Sequence, residues 1–93
     1  MWLKSAKNDL KSIYEYIALD SKRYAKYHVN QIHEGTKILT NHPTAGKIVS
    51  EYENEAIREL VYGQYRIIYR IINSNLIHIL LIHHGARKFP RIK

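Results

Sequence analysis

Tyr65-Arg66-Ile67-Ile68-Tyr69-Arg70-Ile71-Ile72 is the stretch that decides the fold. Its residues are β-branched, aromatic or arginine, and none breaks an extended backbone. Side chains alternate across a strand, so Tyr65, Ile67, Tyr69 and Ile71 share one face, and Arg66, Ile68, Arg70 and Ile72 share the other. Gly63-Gln64 precedes it and Asn73-Ser74-Asn75 follows it, both short enough for hairpin turns. The flanking segments Ala56 to Tyr62 and Leu76 to His83 then become its antiparallel neighbours, and Ile48 to Glu51 a further short strand. The last of these strands is apolar on both faces except at His78, a pattern that predicts a central, doubly covered position.

Upstream of Gly46 the hydrophobic period is 3.6 rather than 2. Ala6, Leu10, Ile13 and Ile17 form one helical stripe entered at Ser5 and ending near Asp20. Asp20 or Ser21 is placed to accept the first free amides of a second helix, with the stripe Ala25, Val29, Ile32, Thr36 and Leu39. Pro43 and Gly46 stop that helix, which at 1.5 Å per residue would be about 30 Å long. The near absence of a linker predicts an antiparallel αα-hairpin. The fold class is α+β: an N-terminal αα-hairpin on a small, mainly antiparallel sheet with a basic C-terminal tail, one domain over residues 1–93.

A chain of 93 residues buries about 60 to 65% of its unfolded surface, enough for one modest core. It contains no cysteine, which excludes disulfides, thiolate metal sites and thiol catalysis. The longest apolar run, Leu76 to Ile82, is far shorter than the roughly 20 residues of a membrane helix, and no signal segment opens the chain. A cytoplasmic protein without membrane contact is expected.

Charge is unevenly distributed. Residues 1 to 59 carry nine Lys/Arg against eight acids, but from Leu60 onward Arg66, Arg70, Arg87, Lys88, Arg91 and Lys93 meet no carboxylate in the sequence and give that third +6 of the total +7. A field of one sign in one third of a small domain points to a polyanion or an acidic partner. Arg66, Arg70, Arg87, Lys88 and Arg91 are therefore the candidate target-binding residues. Against this, Arg66 or Arg70 could simply pair across the hairpin with an acid such as Glu59.

The six histidines do not form a metal motif: His28 and His33 are not one helical turn apart, and His83 and His84 face opposite sides of a strand. Either of His83 and His84 could act as a general acid or base beside the arginines. Tyr62, Tyr65 and Tyr69 fit sheet packing better than base stacking. No phosphate-binding glycine loop or nucleophile elbow is present, and no cofactor is expected.

Asp9-Leu10, Pro43-Thr44-Ala45-Gly46, Arg58-Glu59-Leu60, Tyr65-Arg66-Ile67-Ile68-Tyr69 and His84-Gly85-Ala86-Arg87, in this order and at these separations, resemble the RelE/ParE superfamily of bacterial toxins over nearly the whole chain. The resemblance implies a toxin of a type II toxin–antitoxin system, the class associated with plasmid stabilization, held inactive as a hetero-oligomer with a cognate acidic antitoxin. The family usually opens with a full edge strand, for which only Met1 to Lys4 are available here. RelE-like members cut mRNA on the ribosome, whereas ParE-like members inhibit DNA gyrase. Arg66 and Arg87 match the two arginines of the nucleases, and with His83 and His84 they would be the catalytic set of that branch. The nuclease lysines of the preceding strand, however, fall at Ile57 and Glu59, and no tyrosine follows Arg87. The ending Arg87-Lys88-Phe89-Pro90-Arg91 resembles ParE. The ParE-like branch is expected, with the mRNA endonuclease as the alternative.

Overall fold

The computed structural model describes residues 1–85. Two helices, α1 (Lys4–Ala18) and α2 (Lys22–Gly35), precede a four-stranded sheet of β1 (Lys47–Ile48), β2 (Ile57–Tyr62), β3 (Tyr65–Asn73) and β4 (Leu76–His84). The strands run in the order β1-β2-β3-β4 with every pairing antiparallel. Ser21 caps α2 by accepting the Tyr24 amide on its hydroxyl at 3.1 Å. Gly63 is the first of two residues in the β2–β3 turn and takes φ +57°, the sign that glycine-first hairpin turns need.

Four details depart from the sequence-based expectation. The second helix is shorter: α2 ends at Gly35, and the chain tightens into a 3₁₀ turn over Thr36–Thr40. Gly35 and the β-branched Thr36, Ile38 and Thr40 are poor helix formers, and the Thr36 hydroxyl donates back to the His33 carbonyl at 2.7 Å. The stripe survives, with Thr36 and Leu39 still buried. The first strand is only Lys47–Ile48, because after Val49 the chain turns, with the Tyr52 amide donating to the Val49 carbonyl.

The third departure concerns β4, which ends the four-strand sheet instead of lying at its centre; β3 is the strand with two full neighbours. Among the described residues, the first part of β4's outer side is met by Met1 to Leu3, and the rest by Ser5 and Asp9 of α1. The Met1 ammonium donates to the Ile77 carbonyl and the Leu3 amide to the Ile79 carbonyl, with one parallel bridge between Trp2 and Ile79. The abbreviated opening strand thus exists as a single bridge.

The apolar pattern of β4 has a different cause, which is the fourth departure. Ile68 pairs with Leu81 but Tyr69 with Ile79, so Leu80 is a bulge that resets the alternation. Ile77, Ile79 and Ile82 pack with the helices, while Leu80 and Leu81 pack on the far side. The Ile82 amide, on the outer side of this strand, donates to the Asp9 carboxylate at 2.9 Å and ties α1 to the sheet.

Two apolar clusters result. Beneath the helices Ala6, Ile32, Leu39, Ile67, Tyr69, Ile79 and Ile82 form the main core. On the opposite face Val49, Ile57 and Ile68 form a small one, closed by Tyr52 from the 49–56 segment. That segment folds over a sheet face that would otherwise meet water. No helix among the described residues is long and apolar enough to cross a membrane.

Candidate functional site

The face of the sheet turned away from the helices presents Arg66, Arg70 and His83 of the side chains that sequence reasoning singled out. β3 places Arg66 and Arg70 on it, four residues apart. Cross-strand register sets Arg66 between Val61 and His83, and Arg70 between Ile57 and His78.

The two arginines have different surroundings. Arg66 holds Glu51 as a fork, Nη1 donating to Oε2 at 2.7 Å and Nη2 to Oε1 at 2.8 Å. Its Nε and Nη2 also reach Glu59 Oε2. Glu59 is a buried carboxylate, 5% exposed, and Lys47 Nζ approaches its other oxygen at 3.7 Å. Hydrogen bonding by Arg66 holds the Glu51 carboxyl at about 2, well below its usual value. The guanidinium is therefore matched by two carboxylates drawn from residues before Leu60. In space the acids of the first part of the chain fold back onto the first cation of the second part, and the one-sided field read from the sequence is reduced here. Arg70 is half-buried and pairs with no acid among the described residues, and its Nε is buried without a hydrogen-bond partner.

His83 lies across from Arg66 on this face and is 7% exposed. His84 lies on the helix side, its ring edge-on to Tyr65 at 5.2 Å. The strand therefore separates the two histidines, as alternation requires. Arg87, Lys88 and Arg91 lie outside the described residues. The remaining histidines are dispersed: His33 stacks on Trp2 at 5.6 Å, and His28 is wedged among Tyr24, Tyr62 and Tyr65, where burial lowers its pKa. Among the described residues no three His, Cys, Asp or Glu side chains converge as metal ligands.

Two features were missed by sequence reasoning. The first is Glu51, read there as the end of a strand, which reaches Arg66 only because the chain turns after Val49. The second is the clasp around Gly46. Arg58 Nη1 donates to the Gly46 carbonyl at 3.1 Å, and the Tyr69 hydroxyl sits between the Gly46 amide and the Pro43 carbonyl. Pro43-Thr44-Ala45-Gly46 and Arg58 thus form one structural unit with β3. The helical hairpin adds a cleft of about 390 Å³ with an apolar floor of Trp2, Leu10, Tyr14 and Val29 and with Lys7 and Lys11 on its rim.

Comparison with known proteins agrees with this architecture. The family model for the ParE toxin of type II toxin-antitoxin system, parDE, matches residues 1–89. The chain belongs to the ParE toxin family. Among solved structures, this ParE-family chain is similar to one described as the chromosomal ParDE TA system from P. aeruginosa, with a TM-score of 0.72 and 27% identity over 89% of this chain and 90% of that one. No curated protein matches it. The α+β fold expected from the sequence, two helices packed on an antiparallel sheet, is thus that of a ParE toxin.

Proposed function

We propose that this ParE-family toxin acts as a binding inhibitor of DNA gyrase in the cytoplasm and that a cognate acidic antitoxin neutralises it. One observation carries the choice against mRNA cleavage: Arg66, a match to a nuclease arginine, is held by Glu51 and Glu59. Cleavage of a phosphodiester needs preorganised positive charge at the scissile group. Two carboxylates on the guanidinium remove that charge and would repel the phosphate. Arg70 and the sequence Arg87, Lys88 and Arg91 are left as the target-binding cations.

The antitoxin reading draws on the name of the structural relative, a ParDE system, and on the surface of this chain. The cleft on the αα-hairpin combines apolar rings with the Lys7 and Lys11 ammonium groups, which suits an acidic amphipathic segment folding on contact.

The test is a parallel assay of the purified chain. Inhibition of gyrase supercoiling or trapping of cleaved DNA, with ribosome-bound mRNA left intact in a translation extract, is the expected result. Specific cleavage of mRNA at the ribosomal A site, with gyrase unaffected, would replace this reading with the endonuclease one. Stability of the chain unaltered by the product of the adjacent gene would remove the antitoxin.

A further inference from the structure

The N-terminal half of α2 interleaves cations with rings: Lys22, Arg23, Tyr24, Lys26, Tyr27 and His28. At helical spacing Lys22, Lys26 and Arg23 form one exposed strip, and Tyr27, Tyr24 and His28 the strip beside it. Tyr24 and Tyr27 are each 57% exposed, with ring centroids 6.5 Å apart and planes at 26°. That separation is at the far end of direct ring stacking, so most of each π face remains open. The aromatic strip does not stop at the helix. From Tyr24 it passes to His28 at 5.9 Å, then to Tyr62 at 5.2 Å and Tyr65 at 5.5 Å, and from Tyr65 to His84 at 5.2 Å. His28 is held in place by three tyrosines rather than by a hydrogen bond at its buried Nε2. The acids nearest in sequence stand at the limits of this patch: Asp20 precedes α2, and Glu34 in the last turn is paired with Lys37 at 2.9 Å.

We propose that this patch binds single-stranded nucleic acid, the three cations following the phosphates while unstacked bases lie on Tyr24 and Tyr27. Aromatic faces beside a cationic strip are the chemistry by which single strands are held without sequence preference. Duplex DNA hides its base faces and would engage only the cations. An acidic helix has a better seat elsewhere, in the apolar cleft lined by Trp2, Leu10 and Tyr14. The surface is separate from Arg66 and Arg70 on the far face of the sheet, so the inference does not depend on gyrase being the target.

The experiment is fluorescence anisotropy of the full chain with a labelled oligothymidylate of about 12 nucleotides, within the usual span of such sites. Tyr24→Leu with Tyr27→Leu keeps the net charge and should weaken binding about tenfold, the loss expected when stacked bases lose their platform. Tyr24→Phe with Tyr27→Phe keeps the rings and should bind like the unmodified chain, which controls for folding. Arg23→Gln with Lys26→Gln should reduce the slope of log affinity against log salt by about 1.4, at roughly 0.7 per phosphate contact. The antiparallel hairpin places Lys4 and Lys37 at the opposite end from this patch, so Lys4→Gln with Lys37→Gln removes equal charge and should change little. Equal losses in the two charge pairs, an undiminished Leu variant, or tighter binding of a duplex or an acidic peptide than of the single strand would each overturn the proposal.

Discussion

The Gly46 amide donates to the Tyr69 hydroxyl at 2.9 Å, and that hydroxyl donates in turn to the Pro43 carbonyl at 2.7 Å. One side chain of the central strand thereby closes the turn that leads from the helices into the sheet. Tyr69 and Gly46 are both buried, so the Gly46 amide cannot turn to water instead.

Tyr69→Phe removes this hydroxyl and leaves the buried Gly46 N–H and the partly buried Pro43 C=O without their partner. A loss of about 1 to 3 kcal/mol is expected, read by urea unfolding. Gly46→Ala should cost more, because its Cβ would lie 2.5 Å from the Glu59 carbonyl and 2.7 Å from the Tyr69 hydroxyl. The first obstacle is backbone of β2 and cannot rotate away. A Gly46→Ala variant as stable as the parent would contradict this account of the clasp.

Arg66 and Arg70 share a face but should fail differently. Arg66→Gln strips Glu59 of its principal partner while that carboxylate stays buried, and breaking such a pair costs about 3 kcal/mol or more. Any loss of toxicity should therefore accompany a lowered melting temperature. Arg70→Gln breaks no ion pair with an acid among the described residues and should shift stability by only about 1 kcal/mol. Gyrase inhibition should nevertheless fall in the Arg70 variant. Equal stability losses in the two variants, measured by thermal denaturation, would contradict the difference in their surroundings.

The elements that rest on periodicity were legible in the sequence. The alternation from Tyr65 to Ile72 gave both faces of β3, and the stripe Ala25, Val29, Ile32 gave the buried side of α2. What was not legible depended on where the chain turns. The bulge at Leu80 makes an edge-region strand read as a central one, since one extra residue sends neighbouring apolar side chains to both faces. Glu51 is close to Arg66 in space but fifteen residues away in sequence, and no local pattern announces that contact. The pairing of Arg66 with Glu59 could be anticipated, because the β2–β3 hairpin puts them near each other across the strands. The neutralising of Arg66 by a second acid could not.

The C-terminal segment offers a test independent of the sheet. Deleting residues 88–93 removes Lys88, Arg91 and Lys93, and gyrase inhibition should drop sharply while far-ultraviolet circular dichroism is preserved. His83→Gln is the companion variant. His83 is only 7% exposed, so a substitution of similar volume is preferable to alanine, which would open a cavity. If no proton transfer is involved, the glutamine variant should inhibit gyrase like the parent. A fully inhibitory truncation would move the target contact back to Arg70.

Acid should loosen the 49–56 segment before it unfolds the sheet. The folded-state pKa of Glu51 is lowered from 4.5 to about 2 by its hydrogen bonds to Arg66. A depressed carboxylate contributes stability that is complete above its unfolded value, near 4.5, and disappears as pH falls toward about 2. Because Glu51 is partly exposed, solvent screening keeps that contribution modest. Glu51→Gln should flatten the decline in stability between pH 5 and pH 2, whereas Glu53→Gln, the same charge change in the same segment, should leave it in place. Denaturant midpoints across that range distinguish the two. Identical pH profiles for the variants would mean that total charge, and not the Glu51–Arg66 fork, governs the acid response.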